Sequence, residues 1–324
     1  MLNHMLVAVN AVLPVFLIIA LGFFVRRRGM LDEHSLSKFN SVAFHVFLPV
    51  QIFRNVYDAP LGEVFDLKLV LFTLAGHLAI GALALLMAHL TEPRRDRRGV
   101  MAQGMFRGNY VLLGIPLIEA LFGSDGIGLA SLMIAVNIPM YNVLSVFFLE
   151  LYAEKEVNVR KMLRDIAANP LIDATVIALL VKALHLPVYA LPPLASVIKS
   201  LGAVATPLCL FILGGSFAPA GIGDYAKSLW LTVLFKLVIN PGLVMAAAVA
   251  LGIRGIALGV VMMSFGAPTA VNSYNMVREL GGDRDLAASI VVIDTALSCL
   301  SLFGWIVLLK TLGLLSITQF SCVF

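Results

Sequence analysis

The chain has 324 residues, of which 60% are hydrophobic and only 13% are charged, with a formal net charge of +4. Its mean hydropathy of +0.97 excludes a soluble enzyme or binding domain of this size and indicates an integral membrane protein. The basic residues gather in short segments between apolar stretches, so the positive charge reports orientation in a membrane rather than a nucleic-acid partner.

Charged or turn-rich breaks divide the chain into about ten apolar segments, each near the roughly 20 residues that a helix needs to cross a bilayer. These candidate spans cover residues 4–25, 36–55, 67–90, 99–123, 126–150, 169–186, 193–218, 226–251, 253–279 and 285–311. The pattern predicts an all-α, multi-pass membrane protein with ten transmembrane helices.

The first span is predicted to be a retained helix with its N-terminus outside. Arg26, Arg27 and Arg28 follow it and no basic residue precedes it, which is the reverse of the charge order in a cleavable signal peptide. With ten spans in that orientation, most of the 23 Lys and Arg residues lie at inner span ends. This bias predicts that both termini lie on the outer side of the membrane.

The longest hydrophilic stretch, residues 154–168, is predicted to be a cytoplasmic linker between two halves. Residues 1–153 and 169–324 then hold five spans each, and an odd number of spans forces the halves to be inverted relative to each other. Spans 2 and 7 support this division, because each has a proline and a phenylalanine four residues apart. The alternative is that proline is simply common in membrane helices. The matched residues are Pro49 and Phe53 in one span, and Pro207 and Phe211 in the other.

The fourth span of each half is interrupted by a Gly-x-Pro tripeptide, Gly114-Ile115-Pro116 in the first half and Gly266-Ala267-Pro268 in the second. Glycine frees the backbone, and proline lacks a donor and clashes with the preceding turn, so a helix breaks at such a point. Bare backbone groups at membrane depth survive only where they face protein or a watery cavity. Two breaks in corresponding positions therefore predict the binding site of a transporter.

Polar side chains surround both breaks. Because the halves are inverted, the broken spans are expected to cross near the membrane midplane, each presenting a new half-helix whose first N–H groups carry partial positive charge. Such helix ends bind anions, and neutral donors beside them favour a carboxylate. The predicted substrate-binding residues near the breaks are Asn109, Tyr110, Gly114, Pro116, Gly266, Pro268, Asn272, Ser273 and Tyr274.

Three polar residues inside other spans are further candidates. Lys236 lies in an apolar run of span 8, so it is expected to face the bundle interior and to add charge to the site; an ion pair or a side chain that reaches the interface are the alternatives. Asp294 in span 10 is expected to pair with Lys236, or alternatively to carry a coupled proton. Asn137 in span 5 is a candidate ligand, although interhelical hydrogen bonding would equally explain it.

No metal site or cofactor is expected. His45 and His77 lie alone within spans, as packing histidines do, and no metal-ligand spacing joins them. Cys209, Cys299 and Cys322 are widely spaced without a C-x-x-C motif, so they are expected to be free thiols.

One enzyme signature occurs in the chain. Gly221-Ile222-Gly223-Asp224 and Tyr57-Asp58 match the two motifs of intramembrane aspartyl proteases. A catalytic dyad needs both carboxylates within one site, whereas the span assignment places Asp58 outside and Asp224 inside. The match is interpreted as chance, and the chain is not expected to be an enzyme.

The stretches around the two breaks and in the last span resemble the auxin efflux carrier family, which includes proteins similar to plant PIN proteins and bacterial malonate and malate permeases. The resemblance covers nearly the whole chain and implies ten helices in two inverted five-helix repeats, a scaffold part, a moving transport part and elevator-like movement. It implies a site where spans 4 and 9 cross, with binding roles for Asn109, Pro116, Pro268, Asn272 and Tyr274. The matching motifs are Gly108-Asn109-Tyr110, Gly114-Ile115-Pro116-Leu117, Ala267-Pro268, Asn272-Ser273-Tyr274 and Asp294-Thr295-Ala296-Leu297-Ser298.

The central loop is short, unlike the long hydrophilic loop of many plant members, and Asp294 lies where small hydroxyl residues are common in such segments. The predicted function is a secondary carrier of a small organic anion, a mono- or dicarboxylate such as malonate, malate or an auxin-like acid. The alternatives are a sodium- or proton-coupled carrier similar to bile-acid transporters and, from another class, an intramembrane hydrolase or a membrane receptor. The expected partners are the substrate and the lipid bilayer, and association of two copies as a homodimer stays open.

Overall fold

The computed structural model describes residues 2–59, 66–153, 159–217 and 223–315. Within these ranges the chain forms fourteen α-helices with short π-helical and 3-10 turns and no β-strand, which confirms the predicted all-helical class. The helices are α1 (Leu2–Arg27), α2 (Glu33–Val42), α3 (Leu48–Asp58), α4 (Leu67–Thr91), α5 (Arg95–Phe106), α6 (Ile115–Ala153), α7 (Val159–Ala167), α8 (Pro170–Ala183), α9 (Pro192–Ser216), α10 (Ala226–Leu234), α11 (Asn240–Ala250), α12 (Gly255–Gly266), α13 (Asn272–Leu280) and α14 (Arg284–Thr311).

Several of these helices are suited to a membrane. Five helical segments of the described chain are long and apolar enough to cross a bilayer, which supports a multi-pass membrane protein. They are residues Leu67–Thr91, Asp125–Ala153, Pro192–Ser216, Gly223–Ala250 and Arg284–Thr311. Two shorter apolar helices, Tyr110–Gly123 and Gly255–Gly266, belong to the predicted broken spans. Gly123, with a φ of 63°, interrupts α6 at the predicted boundary between spans 4 and 5.

Three π-helical turns each end two residues before a proline. The turns are Ala43–Phe47, Tyr110–Gly114 and Phe235–Ile239, and the prolines are Pro49, Pro116 and Pro241. A proline ring clashes with the carbonyl group four residues back, and a wider turn just before it relieves that clash. Two of the turns therefore join α2 to α3 and α10 to α11 as continuous helical segments, which the sequence predicts as spans 2 and 8.

The helices pack into two groups. In the first, named here the α9 group, α1 packs on α9, and α3 packs on α8 and α9; α2 continues into α3. A Cβ atom at Gly214 would overlap the carbonyl oxygen of Ile19, so glycine permits the close contact of α9 with α1. In the second, the α5 group, α5 packs on α4 and α6, α12 packs on α6 and α11, and α14 contacts α10 and α13.

The predicted linker between the halves is only partly described. Residues 154–158 lie outside the described residues, and α7 follows them within the predicted range 154–168. This helix contacts α6 and α8, the elements on either side of it in the chain.

Candidate functional site

Two helices of the α5 group break at points that touch each other. Residues 107–109 separate α5 from the π-helical turn at Tyr110–Gly114, and residues 267–271 separate α12 from α13. The backbone N–H of Asn109 donates to the carbonyl oxygen of Pro268 at 2.7 Å. Gly108 and Thr269 form an antiparallel bridge beside it. We call this contact the crossover.

The first break lies upstream of the predicted Gly-x-Pro tripeptide. Gly114 ends the π-helical turn and Pro116 lies in the first turn of α6, where a proline needs no hydrogen-bonded N–H. The break instead occurs at Gly108, where a Cβ atom would lie 3.0 Å from the hydroxyl of Tyr141. The second break agrees with the prediction, because α12 ends at Gly266 and Pro268 lies within the non-helical stretch.

The carbonyl groups that end α5 and α12 are held by two buried side chains of one helical segment. The ammonium group of Lys236 donates to the carbonyl oxygens of Phe106, at 3.2 Å, and of Phe265, at 3.1 Å. The amide of Asn240 donates to the carbonyl oxygens of Met105, at 3.2 Å, and of Phe265, at 3.3 Å. A cation placed at two helix C-termini complements their partial negative charge.

The N–H side of the second break is held by a carboxylate. One oxygen of Asp294 accepts from the backbone N–H of Thr269 at 3.1 Å and lies 2.5 Å from its hydroxyl. The same hydroxyl lies 2.9 Å from the carbonyl oxygen of Gly104. The other carboxylate oxygen of Asp294 is buried and has no hydrogen-bond partner among the described residues.

Lys236 and Asp294 interact without a direct hydrogen bond between them. The two charges interact electrostatically, but the hydrogen bonds found for each go to the crossover, Lys236 to carbonyl groups and Asp294 to Thr269. Each side chain is fully buried. Lys236 binds carbonyl groups and Asp294 binds an N–H group at the same crossover. Because these backbone groups are satisfied, the breaks in the two helices are stable away from water.

A cavity of about 380 Å³ lies between the α9 group and the crossover. Helices α3 and α9 form one wall, and the two breaks together with α6 form the other. Four predicted site residues line it, namely Asn109, Tyr110, Pro116 and Asn272. Both half-helices that follow the breaks begin at this cavity, since Tyr110 and Asn272 are their first residues.

The other predicted site residues lie outside the cavity lining. Asn137 donates to the hydroxyl of Ser264 at 2.9 Å within the α5 group. This is the interhelical hydrogen bond that the sequence offers as the alternative to a ligand role. Tyr274 accepts from Arg278 at 2.8 Å and faces a charged cluster at the far end of α13. The residues of the predicted set that do not line the cavity are Gly114, Asn137, Lys236, Gly266, Pro268, Ser273 and Tyr274.

Several polar residues outside the predicted set also line the cavity. Gln51 of α3 donates to the hydroxyl of Thr206 of α9 at 2.7 Å, and Asn55 lies one turn further along α3. A signal for them was present, because Gln51 and Thr206 flank the matched prolines Pro49 and Pro207. The remaining polar additions to the lining are Arg54, Arg107, Tyr141 and Asn142.

At the opposite end of α13, charged side chains join the two groups of helices. Arg278 pairs with Glu33 of α2 at 2.5 Å and donates to Ser216 of α9 at 2.8 Å. Arg97 pairs with Asp283 at 2.7 Å within the same cluster. We call these residues the charged cluster, and they border a space of about 550 Å³.

The charged cluster includes Asp96, which accepts two hydrogen bonds from the guanidinium group of Arg94, at 2.6 and 3.2 Å. These hydrogen bonds hold the pKa of Asp96 below its usual range, since they favour the ionised carboxylate. The pair is half-exposed, so its contribution to stability is small.

The protease-like dyad is ruled out by distance. Asp224 lines the charged cluster together with Glu33, whereas Asp58 accepts from Tyr189 at 2.6 Å. Glu33 and Asp58 are the two ends of one continuous helical segment. A helix of that length separates them by roughly 37 Å at about 1.5 Å per residue. Gly221 and Ile222 of the motif lie outside the described residues.

His77 packs against aromatic rings, but both of its ring nitrogens are buried without a hydrogen-bond partner among the described residues, whereas a hydrogen-bonded packing histidine is expected from the sequence. Its ring stacks on Tyr141 with centroids 4.9 Å apart and meets Phe265 edge-on at 4.5 Å. His45 instead lies near the protein surface, 3.7 Å from Glu279. Neither Cys209 nor Cys299 forms a disulfide bond with another described residue, and Cys322 lies outside the described residues.

Comparison with known proteins agrees with a transport role for the whole chain. A family model described as a membrane transport protein matches residues 7–306. An uncharacterized transporter of Methanocaldococcus jannaschii is 23% identical over 318 residues, which cover 94% of this chain and 100% of the relative. An uncharacterized transporter of Methanothermobacter thermautotrophicus is 25% identical over 302 residues, which cover 93% of this chain and 98% of the relative.

Proposed function

The chain belongs to the membrane transport protein family, the auxin efflux carrier family, and we propose that it is a secondary carrier of a small organic anion. The observation that carries the proposal is the cavity at the crossover. Its lining contains two arginines and several neutral donors, and no aspartate or glutamate among the residues that the structure describes. Two helix N-termini begin at the same cavity, and the partial positive charge of such helix ends favours an anion.

The cavity also favours a small acid with an apolar body. Its volume of about 380 Å³ lies near the lower end of small-molecule sites. Apolar side chains from both walls accompany the polar donors, and these include Leu48, Ile52, Leu112 and Ile138. A mono- or dicarboxylate such as malonate, malate or an auxin-like acid matches this combination of size and charge.

We further propose that residues 1–153 and 169–324 are two inverted repeats of five spans. The supporting feature is that α5 with α6 and α12 with α13 are both helix-break-helix units, each in the fourth position of its half. An inverted pair would let both breaks meet near the midplane of a bacterial inner membrane, with both chain termini on the outer side.

The packing supports an elevator-type alternation between two orientations. The backbone groups of the crossover are held by Lys236, Asn240 and Asp294, all from the α5 group. That group can therefore move as a unit without losing the hydrogen bonds of its breaks. The α9 group forms the facing cavity wall and is proposed to stay fixed while the bound anion is carried past it.

A coupled carrier of the bile-acid type is the second candidate, and one observation favours it. One carboxylate oxygen of Asp294 is buried without a hydrogen-bond partner among the described residues. The hydroxyl of Ser273 is likewise buried without such a partner. Both lie beside the crossover, where a proton or a sodium ion would be held close to the anion. The family and both relatives are transporters, so catalysis has no comparable support.

Uptake into proteoliposomes tests the proposal. Purified protein is reconstituted and assayed with labelled malonate, malate and phenylacetate, with and without imposed sodium and pH gradients. Saturable uptake of at least one acid is the expected result. Absence of saturable flux for every acid contradicts the carrier function, and an absolute requirement for sodium favours the second candidate.

A further inference from the structure

Arg107 is the first residue after α5 and the first residue of the crossover break. Its side chain is only 3% exposed, and it belongs to the cavity lining. The residues that fix its guanidinium group, Tyr141 and Asn142, line the same cavity. A positive charge is thus fixed at the cavity wall, next to Gly108 and Asn109.

The hydrogen bonds of this guanidinium group all go to neutral acceptors. They are the carbonyl oxygen of Tyr141 at 3.3 Å, the sulfur of Met276 at 2.9 Å and the side-chain oxygen of Asn142 at 3.0 Å. Its Nε atom is buried without a partner in the described part of the chain. No carboxylate of that part lies within pairing distance of Arg107.

Two other buried arginines of the described residues are paired with carboxylates. Arg97 pairs with Asp283, and Arg278 pairs with Glu33. Lys236 and Asp294 have opposite charges and hold backbone groups of opposite sign at the crossover. Arg107 therefore leaves a net positive charge beside the cavity, and a buried charge without a counter-ion is costly.

We propose that Arg107 is the specificity-determining residue that selects a negatively charged substrate, whose carboxylate acts as its missing counter-ion in the cavity. This inference rests on the proposed carrier function and assigns its charge selectivity to one side chain. The helix N-termini and the amides of Asn109 and Asn272 orient the carboxylate, whereas Arg107 supplies the full charge.

The test compares an acid with its neutral analogue. Binding of phenylacetate and of phenylacetamide is measured by titration calorimetry on the purified full-length protein in detergent. Arg107→Gln should weaken phenylacetate binding by about tenfold or more, the range expected for loss of a charge-assisted hydrogen bond. It should change phenylacetamide binding by less than about threefold, because the neutral analogue gains nothing from the charge. Arg107→Lys should keep the preference for the acid.

A second variant protects the test against misfolding. Asn142→Asp places a carboxylate at the position that now accepts from Arg107 at 3.0 Å. The internal counter-ion should raise the melting temperature and remove the preference for phenylacetate over phenylacetamide while Arg107 remains in place. Arg254→Gln, which removes an exposed arginine that donates to Val249, is the control for a change in net charge.

The outcomes distinguish failure of the carrier function from failure of the role assigned to Arg107. No saturable binding of either compound or of malonate to the wild-type protein contradicts the carrier function itself. Saturable phenylacetate binding that is equal in the wild type, Arg107→Gln and Asn142→Asp overturns the role of Arg107 and leaves the carrier function standing. Loss of acid selectivity in Asn142→Asp supports the role even if Arg107→Gln does not fold.

Discussion

The backbone amide of Asn109 lies 2.7 Å from the carbonyl oxygen of Pro268, and this hydrogen bond joins two helix breaks that are 159 residues apart in the chain. On one side of this contact, Lys236 and Asp294 hold the remaining backbone groups. On the other side, the half-helices that follow the breaks begin at a cavity. The same contact thus makes the breaks stable and positions the proposed anion site.

The amides that line the cavity are the first target for substitution. Asn109→Leu and Asn272→Leu should each weaken carboxylate binding by about fivefold to tenfold, the effect of losing one hydrogen bond of ~1 kcal/mol. Asn137→Leu should lower the melting temperature and leave the affinity of the folded protein unchanged, because this amide lies outside the cavity. Titration calorimetry and thermal unfolding measure both properties. If all three variants bound the carboxylate with the affinity of the wild type, the site would lie elsewhere.

The breaks themselves, and their meeting, are the part of this site that follows from the sequence. Gly-x-Pro in two apolar segments indicates interrupted helices, and the second break lies at Pro268 as expected. The exact position of the first break does not follow from the sequence, because a π-helical turn before Pro116 lets the helix continue through this proline. The chain opens instead at Gly108, where Tyr141, a residue more than thirty positions away, requires the absence of a Cβ atom.

Long-range contacts explain the remaining differences. Lys236 reaches the carbonyl of Phe106 across 130 positions of sequence, so its partner cannot be deduced from neighbouring residues. The place of Arg107 in the cavity wall does not follow from the sequence either, since the apolar pattern of span 4 does not reveal that α5 ends at Phe106. Arg278 and Glu33 likewise meet only because α13 and α2 are packed together.

Gly108 is predicted to be intolerant of a side chain. Gly108→Ala would place a methyl group 3.0 Å from the Tyr141 hydroxyl and 3.3 Å from the Ser264 carbonyl oxygen. We expect a loss of about 1–3 kcal/mol of stability, the usual cost of overpacking. Gly304→Ala is the matched control, because nothing lies near its Cβ position in α14 and alanine is a better helix former. A Gly108→Ala protein that unfolds at the wild-type temperature would show that the close contact is unimportant.

Removal of the lysine charge should destabilise the crossover. Lys236→Met leaves the carbonyl groups of Phe106 and Phe265 with one donor fewer and Asp294 without a compensating charge. The expected loss is about 3–5 kcal/mol, as for removal of one partner from a buried charge pair. In the double variant with Asp294→Asn, part of this stability should return. Unfolding in a denaturant series measures the effect, and additive losses in the double variant would show that the two charges are independent.

The carboxylate of Asp294 at the crossover is the candidate group for coupling transport to protons. Asp294→Asn keeps an oxygen that can accept from Thr269 but removes the titratable group. In a proton-coupled carrier this variant should retain saturable uptake and lose its response to an imposed pH gradient. Uptake at several external pH values measures the response, and a pH dependence equal to that of the wild type excludes Asp294 as the coupling group.

The charged cluster is predicted to hold the protein in the orientation seen here. Arg278→Gln removes the contacts of α13 with Glu33 and Ser216, which lie in the α9 group. Movement of the α5 group toward the other orientation should then be easier. The rate at which an anionic thiol reagent modifies the cavity residue Cys209, in a Cys299→Ser and Cys322→Ser background, should change at least about threefold with this shift in population. An unchanged rate would mean that the cluster does not restrain the two groups.

Exchange transport in proteoliposomes tests the central claim most directly, namely that the two breaks meet to form the anion site of a carrier. Vesicles that contain the wild-type protein and a high internal concentration of unlabelled carboxylate should take up the same labelled carboxylate faster than empty vesicles, and Asn109→Leu should reduce this stimulation strongly. Stimulation that is absent for every carboxylate, or that is identical in the wild type and the variant, would contradict the claim.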